Sequence, residues 1–207
     1  MKTLDVVNEM LGTMGETPLN TLDDPHAFRG ACLSTLARVN REVQAKGWWF
    51  NSELLTLSPS ALDSSIYLPG DCLGVRVPRK ATGASTRNYV KRGRRLYDTG
   101  SNGDAGTYVF TADVTVDIFR LIPFEDDLDE VAANYIASQA VLQFQSKYDG
   151  DTAKGRELEK RISGPTGTFA AFQRAETQNQ QVNMIESNVA LQRLKRITRG
   201  ARYGTLR

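Results

Sequence analysis

The sequence predicts an α+β protein in which N- and C-terminal helices form one α-helical bundle with an inserted antiparallel β-domain. Apolar residues recur at helical spacing at both ends of the 207-residue chain, whereas its middle holds short β-forming runs broken by Pro and Gly. Neither set of terminal helices buries enough apolar area alone, so the two sets must pack together. We expect a helical bundle over residues 1–47 and 123–186, a β-domain over 48–122, and a basic C-terminal tail over 187–207.

Two helices are predicted in the first part of the bundle. Residues 3–14 carry apolar side chains on one helical face, and Gly15 ends the pattern. Asp24 is a suitable N-cap and Pro25 suits the first helical position. The second helix should therefore start there and run to Gly47.

The middle of the chain reads as strands joined by turns. Short strand-type runs extend over residues 48–57, 66–68 and 73–77, with breaks at Pro59, at Pro69 with Gly70 and at Pro78. Residues 89–97 indicate a hairpin that turns at Arg92 and Gly93. The Gly-rich stretch 100–107 is expected to be a loop rather than a phosphate cradle, because it lacks the Lys-Ser/Thr ending of a P-loop. A long strand is then predicted from Tyr108 to Ile122.

Helical spacing returns after Pro123. A broad apolar face predicts a helix over residues 128–148, and Asp151 can cap another helix that runs through Ile162. Gly and Pro residues interrupt the pattern after Ile162, and a further helix is predicted over residues 169–185. The tail has little apolar content, so we expect a partner to order it.

The amino-acid composition limits the kinds of functional site that this chain can form. The chain is 24% charged and 40% hydrophobic, as in globular proteins, and the absence of a long apolar run or signal peptide predicts a soluble, cytoplasmic setting without membrane contact. Cys32 and Cys72 are too widely spaced for a metal pair and are expected to be buried thiols. His26 is the single histidine, which excludes a two-histidine metal site. We predict no catalytic residues, no metal and no cofactor.

Charge is strongly segregated along the chain. Eight basic residues and no acid lie between residues 76 and 97, namely Arg76, Arg79, Lys80, Arg87, Lys91, Arg92, Arg94 and Arg95. An acidic cluster follows, with Glu125, Asp126, Asp127, Asp129 and Glu130. The tail carries Arg193, Lys195, Arg196, Arg199, Arg202 and Arg207, together with Tyr203.

These charges leave several interpretations open. The basic run, interleaved with Tyr89 and Tyr97, is compatible with DNA contact, with protein contact, or with a charged edge strand that resists aggregation. The acidic cluster could supply paired carboxylates for glycan cleavage, although acids at a helix N-terminus also favour the helix dipole. Trp48 and Phe50 are interpreted as anchors where the bundle meets the β-domain, with Trp49 the more exposed residue of the triplet.

Four segments carry a family resemblance. They read VNEMLGTMGETPLNTLDD (7–24), LARVNREVQAKGWWFN (36–51), FEDDLDEVAANYIASQAVLQFQSKYDGD (124–151) and NMIESN (183–188). Together they resemble the tail tubular protein A, or head-to-tail adaptor, family of short-tailed, podovirus-type bacteriophages. The resemblance covers the helical part of the chain in order, whereas the β-region shows little of it.

The resemblance implies a non-enzymatic structural virion protein. Members of that family form a ring of twelve copies below the portal protein, join it to the tail nozzle (tubular protein B), extend the DNA channel without reading sequence, and help to seat tail fibres. The implied location is the virion tail, and the host cytoplasm during assembly. Contacts with other subunits, the portal or the nozzle are then expected from the eight basic residues between Arg76 and Arg95, from Glu125, Asp126 and Asp127, and from Arg193, Lys195, Arg196, Arg199, Arg202 and Tyr203 in the tail.

Two alternatives from other functional classes remain at this point. A polysaccharide-degrading, tail-associated hydrolase would use Glu125, Asp126, Asp127 and Asp129. A DNA-binding protein would use the basic run from Arg76 to Arg95.

Overall fold

The computed structural model describes residues 1–78, 88–100, 105–125 and 127–179, and within them the chain is an α+β protein. Its helices are α1 (Thr3–Thr13), α2 (Arg29–Gln44), α3 (Glu130–Tyr148), α4 (Thr152–Ser163) and α5 (Thr168–Asn179). Its strands are β1 (Ser52–Leu57), β2 (Cys72–Arg76), β3 (Tyr89–Arg92), β4 (Arg95–Asp98) and β5 (Val114–Arg120).

The helices share one hydrophobic cluster with α3 at its centre. Helix α3 contacts α1, α2, α4 and α5, and it buries apolar residues around much of its circumference, including Ile136 and Phe144. The carboxylate of Asp129 accepts hydrogen bonds from the backbone N–H groups of Val131 and Ala132, which caps the helix. The predicted helices α3 and α4 are confirmed, and Asp151 caps α4 as expected.

The start of α2 differs from the prediction. The helix begins at Arg29 rather than at Pro25, so it is shorter than the sequence pattern indicated. The carboxylate of Asp24 accepts hydrogen bonds from the backbone N–H groups of Asn20 and Thr21 at 2.8 and 3.0 Å. Because Asp24 closes this upstream turn, it does not cap a helix that starts at the next residue.

Three strands form an antiparallel sheet in the order β1-β5-β2. Strand β5 is central, with Leu55 opposite Val116 on one side and Val75 opposite Ile118 on the other. Strand β1 begins at Ser52, and residues 48–51 form a turn before it. The long strand predicted from residue 108 is wrong, because β5 begins at Val114. The preceding segment instead packs across the sheet, where the N–H of Phe110 donates to the carbonyl of Ser64.

The predicted hairpin is confirmed. Strands β3 and β4 pair around Gly93, whose φ of 61° suits a residue without a Cβ. Residues 66–68 pair with the other side of β4, where the N–H of Leu96 donates to the carbonyl of Ile66 at 2.9 Å and Tyr67 forms a bridge with Arg95. Strand β4 is thus held on both sides, and its Leu96 is fully buried in the strands' own hydrophobic cluster.

Some expectations fall outside the described residues. These include the Gly-rich loop at 101–104, the end of the predicted helix at 180–185, and the basic tail. The division at residues 47, 123 and 186 into a bundle and an inserted β-domain stays a prediction. No helix in the described part of the chain is both long and apolar enough to cross a membrane.

Candidate functional site

The structure describes seven of the seventeen predicted contact residues. Those it describes are Arg76, Lys91, Arg92, Arg94, Arg95, Glu125 and Asp127, all of which are exposed. Outside the described ranges lie Arg79, Lys80, Arg87, Asp126, Arg193, Lys195, Arg196, Arg199, Arg202 and Tyr203. Apart from Arg76, which is on β2, the described residues lie in two oppositely charged regions, one on the β3–β4 hairpin and one at the N-terminal ends of α1 and α3.

The first is an arginine–tyrosine surface on the outer face of the hairpin, which consists of Tyr67, Arg92, Arg95, Tyr97 and Tyr108. The guanidinium of Arg92 lies 3.6 Å from the ring centroid of Tyr97, and that of Arg95 lies 4.5 Å from the ring centroid of Tyr108. The two tyrosine rings pack edge to face at 4.7 Å. Stacking on an aromatic ring holds a guanidinium in place without neutralising its charge.

Strand pairing explains why these side chains meet. Arg92 and Arg95 lie directly opposite each other on β3 and β4, and Tyr67 lies opposite Arg95 on the other side. Within β4, Arg95 and Tyr97 alternate with the buried Leu96 and therefore point to the solvent face. Among the described residues, no carboxylate oxygen lies within 4.0 Å of the charged nitrogens of either arginine.

Arg76 does not belong to this surface. Its Nε lies 3.5 Å from a carboxylate oxygen of Asp117, and its guanidinium lies 5.1 Å from the ring centroid of Phe119. These neighbours are on β5, beside β2. Arg76 thus pairs within its own sheet and is separate from Arg92 and Arg95 on the hairpin.

The second surface, which we call the acidic end, comprises Asp5, Glu125, Asp127 and Glu130. Glu125 accepts a hydrogen bond from the backbone N–H of Thr3 at the start of α1. Hydrogen bonds from the Thr3 hydroxyl and backbone hold the pKa of the Glu125 carboxyl below its ordinary value. The sequence predicted Glu125, Asp127 and Glu130 at the start of a helix, but it did not indicate that Glu125 also hydrogen-bonds to the start of α1, 122 residues away.

The aromatic triplet lies against α5. The ring of Trp48 packs edge to face on Phe172 with centroids 4.5 Å apart, and its Nε1 donates to the carbonyl of Val43. Trp49 also contacts Phe172, at 5.0 Å, and is only half-buried. Trp48, Trp49 and Phe50 are all half-buried and all contact Phe172 on α5, so the expectation that Trp49 is the more exposed residue stays a prediction.

Buried amides at this junction were missed by the sequence reasoning. The side chain of Gln44 accepts from the N–H of Ile122 and donates to its carbonyl, both at 2.8 Å. Asn51 donates to the carbonyls of Gln44 and Arg120, and its own Oδ1 accepts from the N–H of Trp48. Asn40 adds a third amide to the network. These bonds join the end of α2 to the segment that follows β5. The sequence feature that could have indicated the network is the pair Asn40 and Gln44, two polar residues one turn apart on the apolar face of α2.

The cysteines and the histidine are buried or hydrogen-bonded within the chain. Cys32 and Cys72 are buried and free, as predicted, and burial raises the pKa of the Cys32 thiol to about 11. The Nδ1 of His26 accepts from the N–H of Phe28. Within the described ranges, no group of three or more His, Cys, Asp and Glu side chains could hold a metal ion.

Comparison with known proteins identifies the family. Residues 4–194 match a family model described as tail tubular protein. The chain belongs to the tail tubular protein family. A curated relative, tail tubular protein A of Klebsiella phage KP34, is 29% identical over 143 residues, which cover 69% of this chain and 71% of that protein. The family resemblance of the four sequence segments is confirmed.

Membership of the tail tubular protein family makes this chain a structural component of a bacteriophage tail that assembles with other phage proteins. The geometry of the acidic end agrees with a structural role. A glycan hydrolase needs one carboxyl group with a raised pKa as its general acid, whereas the pKa of Glu125 is lowered and Asp129 caps α3.

Proposed function

We propose that this tail tubular protein is the subunit of a homo-oligomeric adaptor ring of twelve copies that joins the portal to the tail nozzle. The ring would extend the DNA channel, pass the genome without sequence readout during ejection, and help to seat tail fibres. The observation that carries the proposal is the separation of charge within this family member. Exposed arginines lie on the hairpin, and exposed carboxylates lie at the start of α1 and α3.

Such a separation suits a ring. Subunits in a closed ring contact each other through two different surfaces, and each surface must complement the one on the next copy. Opposite charges on the two surfaces steer the subunits and set their register. Within the described ranges, no carboxylate oxygen lies within 4.0 Å of the charged nitrogens of Arg92 or Arg95, and a neighbouring copy in a ring would supply one.

The junction supports a rigid subunit. In our proposal a helical bundle carries the β-region as an insertion, with Trp48 and Phe50 as the anchors between them. The chain passes between helices and strands twice, after α2 and after β5. The side chains of Gln44 and Asn51 hydrogen-bond to backbone groups at both places. Because buried amides lose these bonds if the two parts rotate, the network favours one relative orientation.

The basic residues outside the described ranges are assigned to larger partners. We propose that Arg79, Lys80 and Arg87, together with the tail, contact the portal, the nozzle protein or the passing DNA. A short basic tail that gains order on binding can cover a large partner surface.

Native mass spectrometry and electron microscopy of the purified chain, alone and mixed with the portal protein of the same phage, test the adaptor role. We expect ring-shaped particles of about twelve subunits in the mixture. A chain that neither forms rings nor binds the portal would overturn the proposal. A monomer in the absence of the portal agrees with templated assembly.

A further inference from the structure

We propose that the arginine–tyrosine surface is a subunit–subunit contact, and that its occupant is the acidic end of a second copy of this chain. The inference deepens the proposed ring and rests on it. It assigns Arg92 and Arg95 to one side of the interface, and Asp127 and Glu130 to the other.

The composition of the surface indicates a protein partner. Tyr and Arg are enriched at the centres of protein–protein interfaces. Tyr67, Tyr97 and Tyr108 line this surface together with Arg92 and Arg95, and Tyr67 is 54% exposed. A strand protected merely by solvated charge would use lysines and would not place stacked rings beneath them.

The surface is also pre-organised. Strand β4 pairs on both sides, the two guanidinium groups are stacked on rings, and the hydroxyl of Tyr67 donates to a carboxylate oxygen of Asp63 at 2.9 Å. Gly106 permits the close approach of the Tyr97 hydroxyl, because a Cβ there would overlap it. Side chains that are already held lose less entropy when a partner binds.

The charge of the surface calls for carboxylates. Arg92 and Arg95 face each other across the strands, and like charges in directly opposite positions destabilise a sheet. A partner that places carboxylates between them would remove this repulsion and form charge-assisted hydrogen bonds.

The acidic end supplies such carboxylates on the same chain. Asp127 and Glu130 are exposed, although Glu130 also lies 3.6 Å from the N-terminal ammonium of its own chain, and hydrogen bonds from Thr3 lower the pKa of the neighbouring Glu125 carboxyl. These acids lie at the starts of α1 and α3 rather than on the hairpin, so the contact joins two different surfaces. Within the proposed ring, each copy presents its arginine–tyrosine surface to one neighbour and its acidic end to the other.

Nucleic acid fits the surface less well. The rings of Tyr97 and Tyr108 pack against each other, and each carries a guanidinium on one face. They therefore offer little free ring surface for the base stacking that single-stranded nucleic acid uses.

Charge reversal in the full chain tests the pairing. We would compare R92E/R95E, D127K/E130K and the quadruple variant that combines all four changes, each mixed with portal protein and measured by mass photometry. The control is K160E, which reverses one exposed charge on α4. Circular dichroism melts verify that each variant is folded.

We expect each double variant to lower the assembled fraction at least about ten-fold, and the quadruple variant to restore it, since every interface then carries reversed but complementary charges. K160E should stay within about two-fold of the wild-type chain.

Other outcomes overturn the inference. Unimpaired assembly of R92E/R95E, or loss that the quadruple variant does not restore, would show that the acidic end is not the occupant. Salt-dependent duplex DNA binding that R92E/R95E abolishes, without loss of assembly, would assign the surface to nucleic acid. If the charge variants give either of these results while the wild-type chain forms rings, the pairing of the two surfaces is wrong but the adaptor role stands. If the wild-type chain never assembles, both proposals fall.

Discussion

The helical part and the hairpin use their charged side chains in opposite ways. Among the helices, Asp129 and Asp151 cap α3 and α4, and Glu125 binds the start of α1. On the hairpin, Arg92 and Arg95 rest on tyrosine rings and face each other. The first arrangement stabilises the subunit itself, whereas the second leaves charge available to a partner.

The two parts also differ in the size of their cores. The cluster among the helices takes apolar residues from all five of them, whereas the strands' cluster is smaller and lies around Leu96 and Ile118. Stability in such a chain depends mainly on the larger apolar area. The hairpin can therefore carry an electrostatically unfavourable surface because the rest of the molecule supports it.

The largest expected effect is at Phe172, where the helical core meets the aromatic triplet. Its fully buried ring contacts Trp48 at 4.5 Å and Tyr135 at 4.7 Å. Phe172→Ala should lower the free energy of unfolding by about 3–5 kcal/mol, since it leaves a cavity among large rings. Urea denaturation measures the change. The exposed Gln173→Ala on the same helix is the control, and an equal effect of both substitutions would contradict this account.

A pair of glycines compares the junction with the hairpin directly. Gly47 and Gly93 have φ values of 73° and 61°, so an alanine costs about 1 kcal/mol at either site. At Gly93 nothing lies within 4 Å of an added Cβ, whereas at Gly47 the Cβ would overlap the ring of Phe119. We expect Gly47→Ala to cost a further ~1–3 kcal/mol through overpacking. Thermal unfolding of both variants tests this, and similar melting temperatures would refute the steric argument.

The smallest expected effect is at Glu125 and depends on pH. Its folded-state pKa is lowered, so its contribution to stability is present above the pKa of the unfolded chain and is lost as the pH falls through the folded-state pKa. Glu125→Gln should cost about 0.5–1 kcal/mol at pH 7, and the difference from wild type should shrink below about pH 4.

Denaturant unfolding at several pH values provides the measurement. Arg92→Gln is the matched neutralisation on the hairpin, and it should change stability by less than about 0.5 kcal/mol without that pH dependence. If Arg92→Gln lowered the free energy of unfolding more than Glu125→Gln does, the hairpin charge and not the helical charge would stabilise the subunit, which would contradict the comparison.

The sequence by itself determined the α+β class, the helices with clear apolar faces, the hairpin around Gly93, the buried thiols and the family. These follow from local periodicity, turn residues and a matching order of segments, which a reader of the chain can see. The start of α2 could not be predicted from the sequence. The carboxylate of Asp24 can accept hydrogen bonds from the N–H groups of a following helix or from those of a preceding turn, and residue spacing does not distinguish the two.

Only the tertiary structure decided which charges are free. Arg76 and Arg95 look equivalent in the sequence, yet one pairs with Asp117 on the neighbouring strand and the other lies on Tyr108. The tertiary structure also placed Gln44 beside Ile122 and Glu125 beside Thr3, at separations of 78 and 122 residues. Contacts at such separations depend on how the elements pack, and no periodic pattern in the chain records that packing.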